Sequence, residues 1–185
     1  MEDGMNGRFR KATEHDLAGM EEILKDAIRF LKEQKIDQWQ RGYPDREQLM
    51  KDITAKCSYV IEEKDGPKAM CAVSFDGEKS YERIEGGAWL TKGEDYAIVH
   101  RFAVHSSCKG KGMASFLFEE IEKLAQKEGV FSIRIDTHED NVRMQHVLER
   151  AGYQKCGVIR LIGGSEDGVP RLAYEKVLEN FGKKC

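Results

Sequence analysis

The sequence predicts a mixed α/β domain, and three observations support that prediction. The chain has 185 residues, of which 40% are hydrophobic and 34% charged, as is typical of one globular domain. Stretches with helical periodicity alternate with β-branched and aromatic stretches in the order β-α-α-β-β-β-α-β-α-β-β. No internal repeat or low-complexity linker divides the chain. We therefore expect residues 1–185 to form a single domain with residues 8–178 as its core.

The individual elements follow from apolar spacing and from turn residues. Helices are predicted where apolar residues recur every three or four positions, at 17–35, 46–55, 112–128 and 141–151. Strands are predicted at 9–12, 58–63, 69–76, 96–104, 130–137, 153–161 and 172–177, with a strand fragment at 88–90. Thr13 is expected to cap the first helix. The turn at 64–67 predicts a hairpin between the second and third strands.

Charge and cysteine usage exclude several functional classes. The formal net charge of −3 argues against a nucleic-acid-binding protein, which normally presents a basic surface. The five cysteines are widely spaced and include no C-x-x-C pair, which argues against a zinc site and a disulfide framework. The histidines show no metal-ligand spacing either. The odd cysteine count, the absence of an apolar run of about 20 residues and the mixed charges of residues 1–10 predict a cytoplasmic protein with no membrane segment.

The most informative stretch is residues 100–115, with the sequence HRFAVHSSCKGKGMAS. A predicted strand leads into a loop of small and basic residues, and the loop leads directly into a helix that begins at glycine. The first amides of a helix have no intrahelical partner, and the helix dipole adds partial positive charge there. Lys109 and Lys111 add two full charges. This combination predicts a phosphate-binding cradle.

Three interpretations of this loop compete. The simplest is a surface turn with two solvated lysines. The second is a nucleotide loop, but no Walker-type G-x-x-x-x-G-K-[ST] motif occurs. A dinucleotide fingerprint fits Gly110, Gly112 and Ser115 in part, with Asp136 at the end of the next strand. However, several residues separate the preceding strand from the first glycine, where that fold requires a tight turn. The third interpretation is a diphosphate loop for coenzyme A.

The third interpretation agrees with a resemblance to a known family. Residues 96–161 resemble the core of the GCN5-related N-acetyltransferase (GNAT) family, whose signature is [Q/R]-x-x-G-x-[G/A]. The chain has Lys109-Gly110-Lys111-Gly112-Met113-Ala114, which matches the last two fixed positions and replaces Gln/Arg by Lys at the first. The resemblance implies an acyl-CoA N-acyltransferase fold, that is, a mostly antiparallel sheet with helices on both faces. It also implies an enzyme that transfers the acetyl group of acetyl-CoA to an amine by direct attack.

The resemblance further implies which residues bind the cofactor. Residues 96–161 would form the acetyl-CoA-binding unit, with the strand end paired to the pantetheine arm, the loop amides on the diphosphate, and an asparagine at the next helix. These residues are Phe102, Ala103, Val104, Lys109, Gly110, Lys111, Gly112, Met113, Ala114, Ser115 and Asn141. The same asparagine is also a good helix cap, and both interpretations stay open at this point.

The catalytic residues are less clearly indicated. Many family members carry a tyrosine seven residues after that asparagine as the general acid, and this chain has Leu148 there. Producing the free amine from an ammonium of pKa near 10 costs roughly 4–5 kcal/mol at pH 7, so a base is the more important group. His100 and His138 are the leading candidates because histidine titrates near neutrality, ahead of Glu85 and Glu139.

The remaining expectations concern the acceptor. Trp39 and Tyr43 lie between the first two helices, which in this family often wall the acceptor pocket; Trp39 is also a good core residue. Tyr153 is expected in the core and Cys108 is expected to be incidental. The acceptor is expected to be a small molecule or peptide, and the family's frequent dimers leave a homodimer open. A binding module that holds acyl-CoA without chemistry and a dinucleotide oxidoreductase are the alternative functions.

Overall fold

The computed structural model describes residues 7–93 and 95–179. Its helices are α1 (Leu17–Glu33), α2 (Arg46–Thr54), α3 (Met113–Lys127) and α4 (Val142–Arg150). Its strands are β1 (Arg8–Lys11), β2 (Ser58–Glu63), β3 (Gly66–Ser74), β4 (Ala97–Val104), β5 (Ser132–Thr137), β6 (Gln154–Arg160) and β7 (Pro170–Val177). The predicted order of elements is thus confirmed. In the described residues, no helix has both the length and the apolarity to cross a bilayer.

The strands form one open, mostly antiparallel sheet with the order β1-β2-β3-β4-β5-β7-β6. β4 and β5 run parallel, and their pairing comprises Ala97 with Ile133 and Ile98 with Arg134. β5 pairs with β7 along its whole length, from Ser132 to Thr137. The pairing of β4 with β5 therefore ends at Ile98, although β4 continues to Val104.

The described residues divide into two compact units, each with its own core. The first unit comprises residues 7–73 and 101–118, and the second comprises 74–93, 95–100 and 119–179. The core of the first unit is the apolar face predicted for α1 packed on residues of α2 and the strands, including Met20, Ile23, Leu49, Val60 and Met70. The core of the second unit contains Tyr81, Tyr96, Ile98, Ile159 and Ala173. That the whole chain acts as one domain stays a prediction.

The strand fragment predicted at 88–90 is wrong. This segment belongs to the long connection between β3 and β4, which contains a 3-10 turn at Lys79–Tyr81. Trp89 Nε1 donates to the Tyr81 carbonyl at 2.9 Å, and the Arg134 guanidinium lies 4.3 Å from the centre of the Trp89 ring. Side-chain contacts, rather than a strand ladder, therefore hold this segment.

The same connection covers part of β6, the last strand of the sheet. Glu85 N donates to the Val158 carbonyl at 2.8 Å, and Val158 N donates to the Glu85 carbonyl at 2.9 Å. A Cβ at Gly87 would lie 1.9 Å from the Cys156 carbonyl oxygen, so only glycine permits this approach. The outer edge of β6 is thus paired in its middle.

Candidate functional site

The loop between β4 and α3 has the open backbone predicted for a phosphate cradle. After β4, Ser106–Cys108 forms a 3-10 turn, and Lys109 and Lys111 then stand exposed on the way to α3. Gly110 and Gly112 have φ angles of 76° and 78°, which side chains rarely adopt. A Cβ at Gly110 would meet no atom within 4 Å, so the space above it is open.

The amides of this loop fall into two groups. Lys109 N donates to the Ser106 carbonyl at 3.0 Å and Lys111 N to the Cys108 carbonyl at 3.2 Å, so both are used inside the turn. The helix ladder begins with Phe116 N, which donates to the Gly112 carbonyl at 3.0 Å. Within residues 7–93 and 95–179, the amides at 110, 112, 113 and 114 have no acceptor. The free amides are therefore fewer than the continuous set from 109 to 114 that the sequence suggested.

A side chain from α1 holds the beginning of this loop. Asp26 Oδ2 accepts from Ser106 N at 2.7 Å. Burial alone would raise the pKa of Asp26, but the hydrogen bonds from Ser106 and the nearby His105 and Arg29 lower it overall. Nothing in the spacing of the sequence links Asp26 to a loop 80 positions later, so sequence reasoning missed it.

The predicted pantetheine strand is the end of β4. Phe102 stacks on Phe118 of α3 with ring centroids 4.3 Å apart, and Ala103 is buried in the core of the first unit. Arg101 precedes them with a φ of 52°, a strained value for a residue inside a strand. Its guanidinium meets Asp52 of α2, with Nη2 donating to Oδ1 at 3.0 Å and Nε 2.5 Å from Oδ2.

The predicted acceptor residues lie in the connection between α1 and α2. Trp39 is half-buried and packs against the core of the first unit, as expected of a core residue. Tyr43 is 38% exposed, and its hydroxyl accepts from Arg101 Nη1 at 3.3 Å. Trp39 thus packs against the core, whereas Tyr43 is partly exposed.

His100 lies in the second unit beside two side chains of the β3–β4 connection. Its Nε2 is 3.4 Å from Glu78 Oε2, and its ring centroid is 6.4 Å from that of Tyr81. The hydrogen bond with His100, followed by that from Ser80 N, lowers the pKa of Glu78 to about 2 despite partial burial. Glu78 is therefore an anion throughout the neutral pH range.

Asp136 is part of the same neighbourhood. Tyr81 Oη donates to Asp136 Oδ1 at 2.7 Å. Burial raises the pKa of Asp136, although the charge of His100 and the hydrogen bond from Tyr81 oppose that rise. Asp136, which the dinucleotide interpretation noted at the end of the strand after the loop, thus has a hydrogen-bond partner within the protein.

His138 has a different environment. Its Nδ1 accepts from Asp140 N at 3.1 Å, and its carbonyl accepts from Asn141 N at 3.0 Å. His138 therefore closes the turn that begins α4. Asn141 Oδ1 in turn accepts from Met144 N at 3.1 Å, so the expected helix-capping role of Asn141 is confirmed.

The residues at the end of α4 belong to the core. Leu148, at the position where many family members carry a tyrosine, is 0% exposed. Tyr153 is buried as predicted, and so is Cys108.

In the described part of the chain, no group of three or more His, Cys, Asp and Glu side chains is placed to hold a metal ion.

Comparisons with known proteins identify the family that this chain resembles. A statistical model of the acetyltransferase (GNAT) family matches residues 23–153. A GNAT-family acetyltransferase from Streptococcus agalactiae is 30% identical and superposes with a TM-score of 0.85 over 95% of this chain and 97% of its own. A putative acetyltransferase from Staphylococcus aureus is 25% identical, with a TM-score of 0.69 over 95% and 100% of the two chains.

A third solved structure shows the same fold together with the cofactor. It is a putative acetyltransferase from Salmonella typhimurium with acetyl-CoA bound, 15% identical, with a TM-score of 0.66 over 97% of this chain and 99% of its own. A search of curated proteins found no significant match. The family match spans most of the chain, and the first of these structures covers nearly all of it. The chain therefore belongs to the GNAT family of acetyltransferases.

Proposed function

We propose that this acetyltransferase binds the diphosphate of acetyl-CoA at the start of α3 and transfers the acetyl group to an amine by direct attack. The observation that carries the proposal is the set of free amides at 110, 112, 113 and 114 beside the exposed Lys109 and Lys111. Such amides and the helix dipole favour a doubly charged anion. The open space above Gly110 gives a phosphate room to approach the backbone. Acetyl-CoA, when bound, supplies an activated acetyl thioester.

The remaining cofactor contacts follow the chain on either side of this cradle. The backbone of Phe102, Ala103 and Val104 would pair with the pantetheine arm, since the β4–β5 ladder ends at Ile98. The exposed Ser115 hydroxyl would add a hydrogen bond to the diphosphate. Asn141, at the start of α4, would also contact the cofactor.

Of the two histidines, the geometry favours His100 as the base that takes the proton of the acceptor ammonium. Nδ1 of His138 already accepts a backbone N–H, which places the proton of the neutral ring on Nε2. That ring takes a second proton only by giving up its backbone hydrogen bond. His138 Nδ1 also lies 3.8 Å from the Asp140 carboxylate, whereas His100 meets the Glu78 carboxylate through Nε2 at 3.4 Å, which leaves Nδ1 to take the proton.

The acceptor end would be formed by Tyr43 and Trp39 in the first unit. The hydroxyl of Tyr43 is held by Arg101, which fixes the ring, and Trp39 supports the same connection from the core. Such aromatic walls suit a small-molecule or peptide amine. The free thiols of Cys57, Cys71, Cys108 and Cys156 support a reducing, cytoplasmic location, and a homodimer remains our proposal for the assembly.

The test of the cofactor site is Gly112→Asp. A side chain and a negative charge would enter the cradle, so we expect coenzyme A affinity measured by titration calorimetry to fall at least about 100-fold. Gly129→Asp is the matched control, because Gly129 has a φ of 77° after α3 and the same backbone penalty. Unchanged affinity in Gly112→Asp, or equal loss in both variants, would contradict the site.

A binding module without chemistry is the second candidate, and the buried Leu148 is the observation that favours it. The position of the family's tyrosine lacks an acidic hydroxyl in this chain. Free thiol release, measured with a panel of amines, separates the two functions. We expect turnover with at least one amine; tight coenzyme A binding with no turnover for any of them would favour the module.

A further inference from the structure

We propose that Glu78 and His100 form an acid–base pair, in which the Glu78 carboxylate orients the imidazole while His100 deprotonates the acceptor. Glu78 is thus a positioning residue that acts through His100. The inference rests on the proposed function, in which His100 is the base. The sequence did not single out Glu78, because it lies in the polar stretch between β3 and β4.

The two carboxylate oxygens of Glu78 have separate partners. Oε1 accepts from Ser80 N at 3.1 Å and so caps the 3-10 turn at Lys79–Tyr81. Oε2 lies 3.4 Å from His100 Nε2. The backbone of the turn therefore fixes the carboxylate, and the carboxylate fixes one nitrogen of the ring.

This arrangement selects the nitrogen that takes the proton. A neutral imidazole beside a carboxylate carries its hydrogen on the nitrogen facing that carboxylate, here Nε2. The lone pair is then on Nδ1. The His100 side chain is 27% exposed, so a ligand can reach it.

The other titratable groups around His100 in this unit do not replace Glu78. Tyr81 faces the ring from the β3–β4 connection and Asp136 faces it from β5. Asp136 accepts the Tyr81 hydroxyl at 2.7 Å and lies near Arg171 of β7. Glu78 is therefore the carboxylate that contacts the imidazole directly.

Transfer of the proton from the acceptor to His100 requires no further reagent. An N–H bond of the acceptor ammonium breaks, an Nδ1–H bond forms on His100, and the electron pair stays on the amine as the lone pair that attacks the thioester. The ring becomes an imidazolium, and its charge is neutralised by Glu78. Release of the proton to water restores the neutral ring.

The experiment compares Glu78→Gln with Glu82→Gln in the full-length chain. Glutamine keeps the shape and the capping oxygen of Glu78 but removes its charge. We expect Glu78→Gln to lower kcat roughly ten- to a hundredfold while KM stays within about twofold of the wild type. Coenzyme A affinity should stay within about twofold, because the cradle is untouched. Glu82 is exposed at the end of the same 3-10 turn, so Glu82→Gln should match the wild type in all three measurements.

His100→Gln separates failure of this inference from failure of the proposed base. If His100→Gln keeps wild-type kcat/KM, the base assignment is wrong. If His100→Gln abolishes turnover while Glu78→Gln behaves like Glu82→Gln, only the pair is wrong. Glu78→Asp covers the case in which Glu78→Gln does not fold. It retains the carboxylate, so its kcat should stay within about fivefold of the wild type. A loss of kcat as large as that of His100→Gln would overturn the pair.

Discussion

At the scale of single residues, two glycines on either side of α3 have nearly equal positive φ angles. Gly110 precedes the helix with a φ of 76°, and Gly129 follows it with a φ of 77°. A Cβ built at either position meets no atom within 4 Å. They differ in function under our proposal, since only Gly110 lies against the amides that bind the diphosphate. Comparing the two positions therefore separates the backbone strain caused by a side chain from its effect on coenzyme A binding.

We expect Gly110→Ala and Gly129→Ala each to lower the free energy of unfolding by about 1 kcal/mol, because alanine at positive φ is strained. Only Gly110→Ala should also weaken coenzyme A binding, by about tenfold or more, since its methyl group occupies the approach of the phosphate. Urea denaturation and titration calorimetry give the two quantities. Equal affinities in the two variants would contradict the position of the diphosphate.

At the scale of elements, the N-termini of α2 and α4 are capped in the same way. Asp45 Oδ1 accepts from Gln48 N at 2.9 Å, and Asn141 Oδ1 accepts from Met144 N at 3.1 Å. Only Asn141 is also a proposed cofactor contact. A substitution that keeps the cap but shortens the side chain therefore distinguishes its two roles.

Asn141→Ser and its control Asp45→Ser both retain a hydroxyl that caps a helix, so each should change the free energy of unfolding by less than about 0.5 kcal/mol. Asn141→Ser should nevertheless weaken coenzyme A binding several-fold, because the amide donor is lost, whereas Asp45→Ser should not. Should both variants bind coenzyme A like the wild type, Asn141 is a cap alone.

At the scale of the whole molecule, stability in acid depends on carboxylates held by cationic partners. Arg10 donates to both oxygens of Asp16 at 2.7 Å and to Glu62 at 2.7 and 2.9 Å. Mainly because of the hydrogen bonds from Arg10, the pKa of Asp16 falls from 3.8 to about 2. A carboxyl with a lowered folded-state pKa stabilises the fold above its unfolded pKa and loses that effect as pH falls through the folded value.

Asp16→Asn should therefore lower the free energy of unfolding by about 2 kcal/mol at pH 7, and the difference from the wild type should shrink between pH 4 and pH 2. The Asp16 side chain is only 6% exposed, so solvent screens the pair little. Urea denaturation across this pH range is the measurement. Asp65→Asn removes an exposed carboxylate that pairs with Lys68 and should have little effect. A difference that stays constant down to pH 2 would contradict the assignment.

The sequence predicted the parts of the molecule that depend on local chemistry. Apolar spacing located α1 to α4, and the glycines and lysines at 109–112 indicated a loop with an exposed backbone before α3. It could not predict which amides the turn would use itself, because that depends on the 3-10 turn at Ser106–Cys108. The roles of Glu78 and Asp26 were also missed. Each acts on a residue more than 20 positions away, and no local pattern encodes such a contact.

The paired outer edge of β6 limits how two copies of this chain can associate. A strand from a second molecule would have to hydrogen-bond to the main-chain N–H and C=O of Val158. Both groups already hydrogen-bond to the backbone of Glu85. Sheet extension between molecules, the commonest hazard of an unprotected edge strand, is therefore blocked at this end of the sheet. A strand from a second molecule would thus find the middle of β6 already paired within the protein.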